Sequence, residues 1–146
     1  MAKRPPQTPD MLPIFDAAML QNPPLVPRGG SFDAVAAQVL SRAYAPALAK
    51  LERMKPPRTL STSNDTLQYL TGLCLLLQKQ PKKAAEHLFP LNRPGSSFQQ
   101  EVQWLLGMGF LLEGKTAAAK AALGVVSKNP AHPRSAAAGQ VLGRLE

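Results

Sequence analysis

Hydrophobic residues recur at steps of three and four along most of the chain after residue 31, which is the spacing of one face of an α-helix. The first such stripe contains Phe32, Val35 and Val39, and similar stripes follow to the C-terminus. Proline, glycine or polar residues interrupt the stripes, so the predicted helices are short. One interruption is a predicted polar loop over 59–65, after Pro56-Pro57.

The helical pattern repeats along the chain, at an offset of 35 residues between its second and third copies. The matched pairs are Tyr69/Trp104, Gly72/Gly107, Leu73/Met108, Leu76/Leu111, Leu77/Leu112, Ala84/Ala119 and Leu88/Leu123. A weaker copy lies 37 residues upstream of the second, with Phe32, Val39, Ala47 and Leu51 before Tyr69, Leu76, Ala84 and Leu88. Small residues at recurring positions let two antiparallel helices approach closely, while large ones fill the space between successive pairs.

The third copy resembles a tetratricopeptide repeat (TPR), whose pattern is W-x-x-L-G-x-x-Y with later Ala, Phe and Pro. The matching residues are Trp104, Gly107, Phe110, Gly114, Ala119, Leu123 and Pro130. Trp104 stands one place later than in that pattern, and Lys79 replaces the glycine that matches Gly114. The resemblance covers residues 31–146, is densest over 66–130, and is closest to bacterial, particularly Bacteroidetes-type, TPR proteins.

This resemblance implies an all-α fold, a short TPR-like α-solenoid of about three antiparallel helix pairs plus a C-terminal capping helix. The repeats are expected at about 31–55, 65–91 and 98–128, and the capping helix at about 132–145. Residues 1–30 hold seven of the 15 prolines and are predicted to form a Pro-rich, largely irregular N-terminal arm. A short turn around residues 14–20 could dock its apolar side chains on the repeats.

The predicted function is that of a non-catalytic scaffold that binds a peptide or protein segment. In this family the first helix of each pair lines a groove. By resemblance the groove residues are Phe32, Tyr69, Leu73, Leu77, Trp104, Met108 and Leu112. The competing interpretation is that these residues are plain core.

Two other functions stay open, namely electrostatic binding and self-association. The net charge is +8, which suits nucleic acid or acidic partners. The charge is spread along the chain without a concentrated basic footprint, which disfavours nucleic acid. Lys79, Lys82, Lys83 and Arg42 could instead recognise acidic motifs. A stack of only three pairs has exposed ends, which a second copy could cover.

The sequence offers no catalytic set, metal site or cofactor motif. Cys74 is the single cysteine and lies in an apolar run, as expected for a buried thiol. His87 and His132 are the only histidines, and neither lies at a spacing that predicts a dyad or a ligand set. No apolar run is long enough to span a bilayer and the prolines after Lys3 and Arg4 exclude a secretory h-region, so a cytoplasmic location is expected. Relatives of this type are often membrane-anchored.

Overall fold

The structure is a computed structural model that describes residues 11–27, 32–54 and 61–145. These residues form helices and connecting turns, with no β-strand among them, as the all-α prediction requires. The α-helices are α1 (Leu12–Gln21), α2 (Asp33–Leu40), α3 (Tyr44–Arg53), α4 (Ser61–Leu77), α5 (Pro81–Leu88), α6 (Gln99–Leu112), α7 (Thr116–Ser127) and α8 (Ser135–Leu145). A 3-10 turn, Phe89–Leu91, extends α5. None of the described helices is long and apolar enough to cross a membrane.

From α2 onward each helix packs on its neighbours in sequence. In addition, α4 contacts α6, so the first helices of the second and third pairs lie side by side. Helix α1 packs on α6 and α8, which lie much later in the sequence. The N-terminal segment therefore lies against the later helices of the chain.

The same turn joins the two helices of each pair. Arg42, Lys79 and Gly114 have φ angles of 64°, 65° and 74°, in the left-handed region. In each turn the next amide donates to the carbonyl five residues back: Ala43 to Gln38 at 2.8 Å, Gln80 to Leu75 at 2.9 Å and Lys115 to Phe110 at 3.0 Å. This is the Schellman arrangement that ends a helix, and its positions follow the 37- and 35-residue offsets of the sequence.

Glycine allows the close approach of helices in the second and third pairs. A Cβ built on Gly72 would lie 2.5 Å from Leu88 Cγ and 3.2 Å from the carbonyl oxygen of Ala84. A Cβ built on Gly107 would lie 2.7 Å from Leu123 Cδ2. The distances to the two leucine carbons are shorter than carbon atoms tolerate. The expectation that small residues permit this packing is therefore confirmed at Gly72 and Gly107.

Two parts of the chain are more helical than the sequence predicts. The short turn around 14–20 is a regular helix, α1, since Pro13 occupies its first turn, where a missing N–H costs nothing. The predicted loop over 59–65 is wrong from residue 61 onward, because α4 begins at Ser61. Ser, Thr, Asn and Asp are common in turns, but they are also tolerated where a helix begins.

Candidate protein-binding site

The seven predicted groove residues occupy two levels of burial. Tyr69, Leu73, Trp104 and Met108 are fully buried, whereas Phe32, Leu77 and Leu112 are half-buried. All of them belong to or pack against one hydrophobic core. That core also contains Met11, Phe15, Ala18 and Met19 from the N-terminal segment. The predicted groove residues thus share a core with a segment of the same chain.

Tyr69 differs from the other three buried groove residues because its hydroxyl contacts the N-terminal segment. The ring stacks on Phe98 with 4.6 Å between centroids and an interplanar angle of 10°. The hydroxyl donates a hydrogen bond of 2.6 Å to the carbonyl oxygen of Leu25. Burial, aided by the negative charge of Glu101, raises the pKa of Tyr69 well above its usual value of 10.0. The hydroxyl therefore stays protonated and able to donate.

A partly buried ion pair lies beside this contact. Arg134, which immediately precedes α8, donates from Nε to Glu101 Oε1 at 2.9 Å and from Nη2 to Glu101 Oε2 at 2.8 Å. The two parallel bonds fix both side chains in one plane. The hydrogen bonds to Glu101 raise the pKa of Arg134, whose guanidinium is charged at any ordinary pH.

Both members of the ion pair also bind the main chain of the N-terminal segment. Glu101 Oε2 accepts a hydrogen bond of 2.8 Å from the amide of Leu25. Arg134 Nη2 donates a hydrogen bond of 2.7 Å to the carbonyl oxygen of Pro23. We call Tyr69, Glu101 and Arg134 the backbone clamp, because together they bind two carbonyls and one amide of residues 23–25.

His132 supports Arg134 from the connection between α7 and α8. Its side chain is buried, and its Nδ1 accepts a hydrogen bond of 3.0 Å from the Arg134 amide. Burial lowers the pKa of His132 from its ordinary value of 6.5. The imidazole is therefore neutral at neutral pH, as an acceptor at Nδ1 must be.

Glu101 and Arg134 were not predicted as site residues. One signal was available for Glu101, which is the single charged residue of the otherwise uncharged α6 sequence. A lone charge in the first turn of a buried helix indicates a specific partner. No sequence pattern links it to Arg134, which lies 33 residues away.

A groove of about 590 Å³ lies between α1 and the first helix pair. Two of its large hydrophobic residues, Leu20 and Leu40, are exposed. It is lined by Phe15, Asp16, Met19, Leu20, Pro23, Pro24, Val26, Val39, Leu40, Arg42, Tyr44, Leu77 and Lys79. Of the four basic residues considered for acidic motifs, Arg42 and Lys79 thus border this groove, whereas Lys82 and Lys83 are exposed on α5. Lys79 contacts the Asp16 carboxylate at 3.2 Å and lies 5.2 Å from the centre of the Phe15 ring.

Cys74 and His87 have separate surroundings. Cys74 is fully buried, and burial raises the pKa of its thiol to about 12. His87 Nδ1 lies 2.6 Å from Gln68 Oε1, so its ring is engaged with an amide side chain. Within residues 11–27, 32–54 and 61–145, no group of three or more His, Cys, Asp or Glu side chains could hold a metal ion.

In the described parts of the chain, helices thus hold residues 23–25 of the same chain through side-chain hydrogen bonds to main-chain atoms. Comparisons with protein-family models, with curated proteins and with solved structures find no match.

Proposed function

We propose that this protein is a non-catalytic interaction module that binds a polypeptide segment on the face formed by α4, α6 and α8. The observation that carries the proposal is the backbone clamp, which already holds residues 23–25 through their main-chain atoms. A site that satisfies the carbonyls and amide of residues 23–25 is suited to binding another polypeptide segment through the same main-chain groups.

The repeated architecture supports this proposal. The three Schellman turns share the offsets at which residue types recur, as expected of a TPR-like α-solenoid. In such a stack the first helices of the pairs lie side by side and line one face. Tyr69 on α4 and Glu101 on α6 are contributed by two such helices.

In the proposed site the predicted groove residues act at two depths. Leu73, Trp104 and Met108 are fully buried and form the floor, while the Tyr69 hydroxyl reaches the bound strand. Truncation of the floor residues would unfold the protein before it reported on binding, since loss of a buried aromatic ring costs about 3–5 kcal/mol. The test of binding is therefore to remove the hydroxyl of Tyr69, which leaves the buried ring in place.

The proposal is tested by selecting random peptides against the full chain carrying Leu25→Pro. This change deletes the amide that Glu101 binds and so weakens the internal occupant without altering the backbone clamp. We expect selected peptides to lose affinity by about fivefold when Tyr69→Phe is added, because a typical hydrogen bond contributes about 1 kcal/mol.

The matched control is Tyr44→Phe, which removes the same atom from the other tyrosine, located in the groove beside α1. It should leave binding of the selected peptides unchanged, and circular dichroism should show that all variants remain helical. Failure to select any peptide whose binding depends on Tyr69 would refute the proposed function.

A further inference from the structure

We infer that the partner segment is an extended, proline-containing strand that replaces residues 23–25 in the backbone clamp. This inference rests on the proposed function and names the class of ligand that its site accepts. It follows from what the clamp does and does not contact in the segment Pro23-Pro24-Leu25.

The backbone clamp forms hydrogen bonds to main-chain atoms of this segment and makes no polar contact with its side chains. Its bonds reach the carbonyl oxygens of Pro23 and Leu25 and the amide of Leu25. The Leu25 side chain is 50% exposed, and Pro23 is exposed as well. A different side chain at position 25 can therefore be accommodated, provided that its residue carries an amide hydrogen.

Proline suits the two preceding positions for a specific reason. The segment 23–25 contains one amide hydrogen, that of Leu25, and it is bound by Glu101 Oε2. Proline at 23 and 24 removes the other two donors, so the amide of residue 25 is the one donor that this segment offers. Each proline also fixes φ near the extended polyproline value, so the strand loses less entropy on binding.

The segment in place is a replaceable occupant. Leu20 and Leu25 are 70% and 50% exposed, so little of their apolar surface stabilises the bound state. An incoming strand with the same backbone pattern would form the same hydrogen bonds. The internal segment retains the advantage of a tethered ligand, which corresponds to an effective concentration of about millimolar. The wild-type chain should therefore bind such a strand weakly.

The test uses a fluorescent synthetic peptide with the sequence of residues 20–27, titrated into the full chain and followed by anisotropy. We expect the Leu25→Pro chain to bind it at least about tenfold more tightly than wild type, since a hydrogen bond to a charged group is equivalent to roughly tenfold or more in affinity. The matched control is Leu25→Ala, which keeps the amide and should behave like wild type to within about threefold.

Peptide variants then define the ligand class. Replacing the leucine of the Pro-Pro-Leu core by proline should weaken binding to the Leu25→Pro chain by about tenfold or more, whereas alanine at that place should be tolerated. Replacing the two prolines of this core, at the places of Pro23 and Pro24, by alanine should weaken binding by about fivefold or more. Equal affinity for the peptide with and without the amide, or for the peptide with and without these two prolines, would overturn the inference.

Two further outcomes separate this inference from the proposed function. If peptides selected at random depend on Tyr69 but lack proline, the function stands and the ligand class is wrong. If wild type is a dimer and Leu25→Pro is a monomer by sedimentation, the occupant in trans is a second copy, which also overturns the inference.

Should Leu25→Pro fail to fold, the wild-type chain provides the measurement. Excess peptide should accelerate hydrogen exchange at the Leu25 amide by displacing the segment, while exchange in α6 stays protected. Unchanged exchange at that amide under peptide excess would contradict the inference.

Discussion

The first helix pair, α2 and α3, and the later pairs, α4–α5 and α6–α7, share a turn but differ in how their helices meet. The first helix of the first pair has eight residues, whereas those of the later pairs have 17 and 14. Val35 stands where the later pairs have Gly72 and Gly107, and it is fully buried. The turn depends on main-chain hydrogen bonds that any residue can make, while helix spacing depends on side-chain volume. Turn geometry is therefore repeated more faithfully than packing.

The largest expected effect on stability comes from adding a side chain at Gly72 or Gly107, where the first pair has Val35. Gly72→Ala should lower the free energy of unfolding by about 2 kcal/mol, because overpacking outweighs the gain in helix propensity. Gly107→Ala should cost less, about 1 kcal/mol, because its neighbours are side-chain atoms of Leu123 and Ala122 and not, as at Gly72, a backbone carbonyl as well. Urea unfolding followed by circular dichroism measures both.

The control for this prediction is alanine at helical glycines with open space around them. A Cβ at Gly124 or Gly139 meets nothing within 4 Å. Gly124→Ala and Gly139→Ala should each stabilise the protein by about 0.5–1 kcal/mol through helix propensity. Stabilisation by Gly72→Ala as well would show that the close approach is not a constraint.

A smaller effect should distinguish the turns, which have one glycine and two long side chains in the same conformation. Gly114→Ala should destabilise by about 1 kcal/mol, and Arg42→Gly should stabilise by a similar amount, because glycine alone adopts positive φ without strain. Lys79 is unsuitable for this test, since it contacts Asp16 and Phe15. Thermal melts that show the same sign for both changes would contradict the shared turn geometry.

The later pairs also differ in the connections that follow them, and pH should report this difference. The connection after α7 contains buried His132, whose folded-state pKa lies below its ordinary value of 6.5. As pH falls below about 6.5, the unfolded chain takes up a proton first, so stability should decrease. His132→Asn keeps an acceptor for the Arg134 amide and should flatten this part of the pH dependence. An unchanged slope in melts between about pH 8 and about pH 5 would exclude His132 as its source.

The last prediction concerns the reactivity of a thiol at equivalent positions in the first two pairs, and its effect on stability is the smallest. Cys74 is buried in α4, whereas Ala37, 37 residues earlier, is exposed on α2. With its pKa raised to about 12, the Cys74 thiol should not react with a disulfide reagent in the folded protein. Ala37→Cys in a Cys74→Ala chain should react at least about a hundredfold faster. Rapid labelling of native Cys74 would contradict its burial.

The sequence predicts the local features of this fold better than its long-range contacts. Helix pairs and the close contacts at Gly72 and Gly107 depend on residues near one another in the chain. The backbone clamp does not, because Glu101 and Arg134 carry no periodic signal and their ligand is a main-chain segment. The sequence also does not predict the length of α1, because its prolines favour irregular structure although Pro13 suits a first turn.

The hydrogen bond from Arg134 to Pro23 joins residues 111 positions apart in a molecule built mostly from contacts between neighbouring helices. A linear stack can fray from either end, because the outermost helix has one neighbour. Here Pro23 is bonded to Arg134 beside α8, and α1 packs on α8, so α8 has a second contact besides α7. Fraying of α8 should therefore be coupled to departure of residues 23–25, and a partner in the backbone clamp would protect or release α8 according to whether it restores the bond to Arg134.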